Sequence, residues 1–225
     1  AGGRQKASAG PAAGHRMSRV KVKLCGLRRA EDVRFANEVK PDYIGFVFAP
    51  GSRRAVTLEG AEALRGQLDA GITPVGVFVN QPVELVARLL NQDVIAWAQL
   101  HGQEDKAYLA ALRRLTAKPV LQAFRVEQSA DVLRAQASSA EGILLDHGAG
   151  GTGEAFDWSL ARSCSRPFFL AGGLTPENVA EAIAVVRPYG VDTSSGVETA
   201  GWKDREKMQR FVQAVRAAES KGEKI

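Results

Sequence analysis

The stretch "PFFLAGGLTPENVAEAIAVVRPYGVDTSSG", residues 167–196, contains one complete unit of a repeating architecture. Its first part, "PFFLAGG", is a short apolar run closed by glycines, the signature of a buried strand. "TPENVAEAIAVV" then spaces its apolar residues as a helix does, and "GVDTSS" returns to strand composition. A strand, a helix and a second strand in this order imply parallel pairing through a right-handed crossover.

The same alternation extends back through the chain. Six further strand candidates precede this unit: "VKVKLCG" (20–26), "YIGFVFA" (43–49), "TPVGVFVN" (73–80), "VIAWAQLHG" (94–102), "PVLQAFRV" (119–126) and "GILLDH" (142–147). Amphipathic stretches such as "AEDVRFANEV", "LEGAEALRGQL", "PVELVARLL" and "DKAYLAALRRL" separate them, and "DREKMQRFVQAVRAA" follows the last strand. Eight strands in roughly 200 residues fit an α/β fold of one closed (β/α)8 TIM barrel better than a doubly wound open sheet. Residues 148–158, "GAGGTGEAFDW", are glycine-rich, which predicts a short sixth helix and a long loop. A mobile loop over 148–153 could close on the barrel mouth.

The barrel is expected over residues 18–225. Residues 1–17, "AGGRQKASAGPAAGHRM", lack an apolar pattern and read as a disordered leader or linker. That segment holds Arg4, Lys6 and Arg16 and no acid, so it carries three of the chain's five net positive charges. The remainder is nearly neutral and has no basic block with interleaved aromatics, which argues against nucleic acid as a partner. No apolar run reaches the ~18 residues of a membrane span, so no membrane association is expected. The two cysteines, Cys25 and Cys164, are too few for a disulfide framework and point to a cytoplasmic protein. His15, His101 and His147 show no ligand spacing, and no metal is expected.

In this architecture the chemistry sits at the C-terminal ends of the strands. The polar residues there are Cys25, Arg53 and Arg54, Asn80, Gln99 and His101, Asp146, Gly172 and Gly173, and Asp192, Ser194 and Ser195. Gly172, Gly173, Ser194 and Ser195 close the last two strands, where barrels bind phosphate through backbone N–H groups. A phosphorylated small molecule is therefore the expected substrate. Asp146 ends an apolar run, where burial would raise its pKa and suit it to act as an acid, or where it could simply cap a helix. Arg54 has the fork for a carboxylate, or is a solvated surface residue. Gln99 and His101 either support the site residues from behind or are satisfied strand-end residues, and the structural role is favoured. Cys25 is either a general base or a buried apolar side chain.

The motifs "KLCGL", "YIGFVFAPGSRR", "VGVFVN", "QLHG", "LLDHGAGGTGEAFDWSL", "LAGGLTPENV", "DTSSGVE" and "GWKD" occur in one order over residues 20–215. Together they resemble the phosphoribosylanthranilate isomerase family of tryptophan biosynthesis. The resemblance implies a (β/α)8 barrel that performs an Amadori rearrangement of N-(5′-phosphoribosyl)anthranilate with no cofactor and no metal. It implies Cys25 as general base, Asp146 as general acid, and Arg54 as partner of the anthranilate carboxylate. Phosphate would be held by Gly172, Gly173, Ser194 and Ser195, with Asp192 lining the site. A basic role for Cys25 requires either a lowered pKa or proton loss on substrate binding, its place at a strand end next to Gly26 suggests partial exposure, and kcat/KM is expected to rise between roughly pH 6 and 8.5.

Two positions depart from the family pattern: Thr193 stands where an aliphatic residue is expected, and "TAGWKD" lacks a proline before its glycine. Histidine-pathway sugar-phosphate isomerases on the same barrel use aspartate at the first strand, and Cys25 argues against them. A non-catalytic phosphate-binding barrel would need neither Cys25 nor Asp146. A linker at residues 1–17 would fit fusion to, or association with, another tryptophan-pathway enzyme.

Overall fold

A computed structural model describes residues 19–147 and 158–222. The expected leader at 1–17 and the expected mobile loop at 148–153 lie outside the described residues.

Eight strands close into a barrel: β1 (Lys21–Cys25), β2 (Tyr43–Val47), β3 (Thr73–Phe78), β4 (Trp97–Leu100), β5 (Val120–Arg125), β6 (Gly142–Asp146), β7 (Phe169–Ala171) and β8 (Gly190–Thr193). Every neighbouring pair is parallel, and β8 returns to β1 with Lys23 opposite Asp192. Helices α1 (Ala30–Val39), α2 (Leu58–Arg65), α3 (Val83–Asn91), α4 (Lys106–Leu115), α5 (Ser129–Gln136), α6 (Val179–Val186) and α7 (Arg205–Gly222) complete the fold. The TIM barrel expected from the sequence is the fold observed.

Helix starts are fixed by side chains that satisfy otherwise unpaired backbone N–H groups. Thr57 accepts from the Gly60 amide before α2, and Asp105 accepts from the Tyr108 amide before α4. Asp32 and Asp131 reach back to the amides of Arg28 and Arg29, and of Glu127 and Gln128. Each such cap stabilises by about 1 kcal/mol.

The main core lies between the barrel and its helices, with Leu24, Phe46, Phe78, Leu89 and Phe211 fully buried. Burial stabilises each of these by roughly 1.5–3 kcal/mol. Two smaller apolar groups come from the strands' other faces: Leu121, Leu144, Phe169 and Ala171, and, beside the first strand's end, Cys25, Val47, Ala49 and Val77.

Three features differ from the sequence reading. Helix α5 was not among the expected amphipathic stretches; its Leu133 is 66% exposed, so no clean apolar stripe marks it. Between β6 and β7 the described residues hold only a 3₁₀ turn, Ala161–Ser163, where a short helix was expected. A two-residue-strand hairpin, β9 (Glu198–Thr199) and β10 (Trp202–Lys203), follows β8. Its turn residues Ala200 and Gly201 have φ of 51° and 81°. Paired positive φ values match the twist of a tight hairpin. Proline, locked near −65°, does not fit the Ala200 position of this turn.

Candidate active site

A cavity of about 300 Å³ opens at the C-terminal ends of the strands. Cys25, Arg54, Asp146, Gly172, Gly173, Asp192, Ser194 and Ser195 all line it, together with Gln99 and His101. The eight residues to which the family resemblance gives a role are therefore gathered in one place. Arg53 and Asn80 are not part of the lining. Asn80 has φ of 54° and accepts from the Gln103 amide, while its own amide donates to Glu104, so it fastens the β3 and β4 loops together.

Cys25 is 8% exposed, more enclosed than the partial exposure expected from the sequence. Burial pushes its thiol pKa above the ordinary value, and the positive charges of Lys23 and Lys203 oppose that shift without reversing it. The lowered pKa considered from the sequence is thus replaced by a raised one. Gly45 on β2 makes the space for this thiol. A Cβ there would lie 2.6 Å from Cys25 Sγ, inside van der Waals contact.

Beneath the thiol, Lys23 is completely buried and donates to Asp192 Oδ1 at 3.0 Å. Burial alone would discharge Lys23, but the Asp192 carboxylate outweighs it, raises the pKa and keeps the ammonium charged. Asp192, expected simply to line the site, is thereby half of a buried ion pair.

Asp146 keeps 22% of its side chain exposed, so it is only partly enclosed. Its Oδ2 lies 3.2 Å from His101 Nε2, and His101 Nδ1 lies 2.9 Å from Gln99 Nε2. In the tautomer in which Gln99 donates to Nδ1, the imidazole N–H is at Nε2 and points at the carboxylate. His101 therefore touches the expected acid directly, the supporting reading of this residue and not the favoured structural one. Gly172, with φ of 97°, carries the chain past this carboxylate; a Cβ there would sit 2.8 Å from Asp146 Oδ1.

At the other side, no hydrogen bond among the described residues uses the N–H of Gly173 or Ser195. Both amides border the cavity and are available to an anion. Thr193 donates to the Leu174 carbonyl at 2.6 Å, so its hydroxyl ties the β7 and β8 loops where an aliphatic residue was expected. Ser194 Oγ donates to the Cys25 carbonyl at 3.0 Å.

Arg54 uses one edge of its guanidinium on Glu198, through Nε to Oε1 at 2.7 Å and Nη2 to Oε2 at 2.8 Å. Lys203 Nζ also reaches Glu198 Oε1, at 2.8 Å. Glu198, Lys203, Lys23 and Gly45 were not singled out from the sequence. Lys23 had a readable signal, since alternation in "KVKLC" places it on the same face as Cys25. Glu198 and Lys203 lie on the short hairpin, whose strands are too brief to show a period.

Such an arrangement defines a barrel enzyme that acts on a phosphorylated small molecule. The model of the N-(5'phosphoribosyl)anthranilate (PRA) isomerase family matches residues 22–214, and the chain belongs to that family. It is 44% identical over 203 residues to the N-(5'-phosphoribosyl)anthranilate isomerase of Caldanaerobacter subterraneus subsp. tengcongensis, covering 88% of this chain and 98% of that protein. Among solved structures, phosphoribosyl anthranilate isomerase from Thermotoga maritima superposes with a TM-score of 0.80 at 38% identity, over 88% of this chain and 99% of that one. A phosphoribosyl anthranilate isomerase in complex with reduced 1-(o-carboxyphenylamino)-1-deoxyribulose 5-phosphate gives a TM-score of 0.78 at 37% identity, with the same coverage.

Proposed function

We infer that the chain is the isomerase of tryptophan biosynthesis that converts N-(5′-phosphoribosyl)anthranilate to 1-(2-carboxyphenylamino)-1-deoxyribulose 5-phosphate. The observation that carries the assignment of roles is the convergence of Cys25 from β1 and Asp146 from β6 on one cavity, between Arg54 and the loops after β7 and β8.

Asp146 in its protonated form gives its proton to the furanose oxygen, and the C1′–O bond opens as the anilino nitrogen forms a Schiff base. The carboxylate left behind accepts from His101 Nε2, which lowers the energy of the step in which the proton leaves. The Schiff base acidifies the C2′ proton, and Cys25 removes it as thiolate. The electron pair moves into the C1′–C2′ bond, giving an enolamine that tautomerises to the ketone. Amides of Gly172, Gly173, Ser194 and Ser195 hold the phosphate, and Arg54 meets the anthranilate carboxylate. Fixing both ends keeps the reacting carbons between acid and base.

Because burial keeps the Cys25 thiol protonated in the free enzyme, it gives that proton to water as the substrate arrives, and the positive charge of the Schiff base favours the resulting thiolate. Residues 1–17 serve as a leader or linker to the catalytic barrel at 18–225, and a linker there suits fusion to, or association with, another enzyme of the pathway. Removing 1–17 then leaves kcat and Tm unchanged; a fall in Tm of several degrees would refute this. Two unpaired cysteines suit the cytoplasm. No helix among the described residues is long and apolar enough to cross a membrane.

The assay adds purified protein to freshly prepared phosphoribosylanthranilate and follows loss of anthranilate fluorescence. Turnover by the wild type, with kcat about 10²–10⁴-fold lower for Asp146→Asn, supports the reading. No turnover by the wild type, or full activity in the variant, contradicts it.

A further inference from the structure

Glu198 on β9 is a carboxylate that the roles above leave unused. Its side chain is 5% exposed and meets three cations. Arg54 makes two hydrogen bonds to it, at 2.7 and 2.8 Å, Lys203 one at 2.8 Å, and Arg53 one at 3.1 Å. Lys203 Nζ also donates to the Ser194 carbonyl at 2.9 Å, and Ser194 Oγ donates to the Cys25 carbonyl. One buried carboxylate is thus joined directly to Arg54 and, through Lys203, to Ser194.

A guanidinium offers five N–H donors in a planar fork. Glu198 occupies the Nε and Nη2 edge of Arg54, which leaves the Nη1 side for another acceptor. An arginine held this way has already lost its rotamer freedom before a ligand arrives, which lowers the entropy cost of binding. The cluster also keeps a surplus of positive charge, three cations around one carboxylate, beside a site whose substrate carries both a phosphate and a carboxylate.

We propose that Glu198 is a positioning residue for the isomerase reaction, fixing which edge of Arg54 faces the anthranilate carboxylate and, through Lys203, tying that edge to the phosphate loop. The proposal rests on the reading that Arg54 meets this carboxylate. A merely structural ion pair would affect all ligands alike; a positioning role acts on the carboxylate-bearing ligand through Arg54.

The test is calorimetric. Dissociation constants are measured for reduced 1-(2-carboxyphenylamino)-1-deoxyribulose 5-phosphate and for its anilino analogue lacking the carboxylate. The proteins are the wild type, Glu198→Gln, Arg54→Ala and the double variant. Glu198→Gln is expected to weaken the carboxylate ligand about tenfold, as loss of a charge-assisted contact does, and the analogue less than about twofold. In the Arg54→Ala background it should add little further loss, because the two residues act as one unit. Equal weakening of both ligands by Glu198→Gln, or full additivity with Arg54→Ala, overturns the proposal alone. Equal weakening of both ligands by Arg54→Ala overturns the Arg54 reading and the proposal with it. Should Glu198→Gln not fold, Glu198→Asp retains the charge but draws the carboxylate back from the fork. It must show the same selectivity for the carboxylate ligand, and its absence there is equally fatal.

Discussion

At Cys25, burial favours the protonated thiol while the ammonium groups of Lys23 and Lys203 favour the thiolate. Burial wins, so the folded-state pKa lies above the ordinary thiol value, and the thiolate fraction of the free enzyme grows only as pH rises into the alkaline range. If thiolate is the active form, kcat/KM should climb with pH through a group titrating above the ordinary thiol value, later than the sequence alone suggested. A kcat/KM profile already flat from neutral pH upward would show that Cys25 does not limit proton removal. Strand period alone placed Cys25 at a strand end, and polar residues after successive strands marked Asp146, Arg54 and the two phosphate loops. What it could not convey is depth. The enclosure of Cys25 depends on Gly45 from a neighbouring strand, and the charge of Lys23 depends on Asp192, distant in sequence but opposite in register.

At the scale of elements, the strands were legible because both faces are buried and each therefore reads as a compact apolar run. Helix α5 was not, since Leu133 faces solvent, and neither was the β9–β10 hairpin, too short for any periodicity. That hairpin carries Glu198 and Lys203, so the least legible element holds the ion cluster behind Arg54. Its turn supplies a direct check. Ala200→Pro forces φ from 51° to the proline value and should destabilise the protein by roughly 2–3 kcal/mol in urea unfolding, with KM raised as Glu198 shifts. Unchanged stability and KM would mean that the hairpin does not brace the site.

For the whole molecule, the ion cluster predicts how stability depends on acid. Glu198 is held at about 2, below the ordinary 4.5: burial opposes its charge, but hydrogen bonds from Arg54 and Lys203 outweigh it. A depressed carboxyl contributes stability that is present above the unfolded-state pKa and lost as pH falls through the folded-state value. Other depressed carboxylates, among them Asp42 and Asp204, lose stability in both proteins, so denaturant titrations between about pH 5 and 2 should show the wild type losing roughly 2–3 kcal/mol more than Glu198→Gln. An identical slope in the variant would place the acid sensitivity elsewhere. The central claim, however, is that a barrel of this family moves protons with Cys25 and Asp146, and one measurement bears on it most directly. That measurement is kcat for Cys25→Ser, taken beside its Tm. Serine keeps the size and places a far weaker base at the end of β1, so the account predicts a Tm close to wild type and kcat lower by at least about 10²-fold. Full activity in a folded Cys25→Ser variant would contradict it, leaving Cys25 as packing and shifting the search for the base to Asp192.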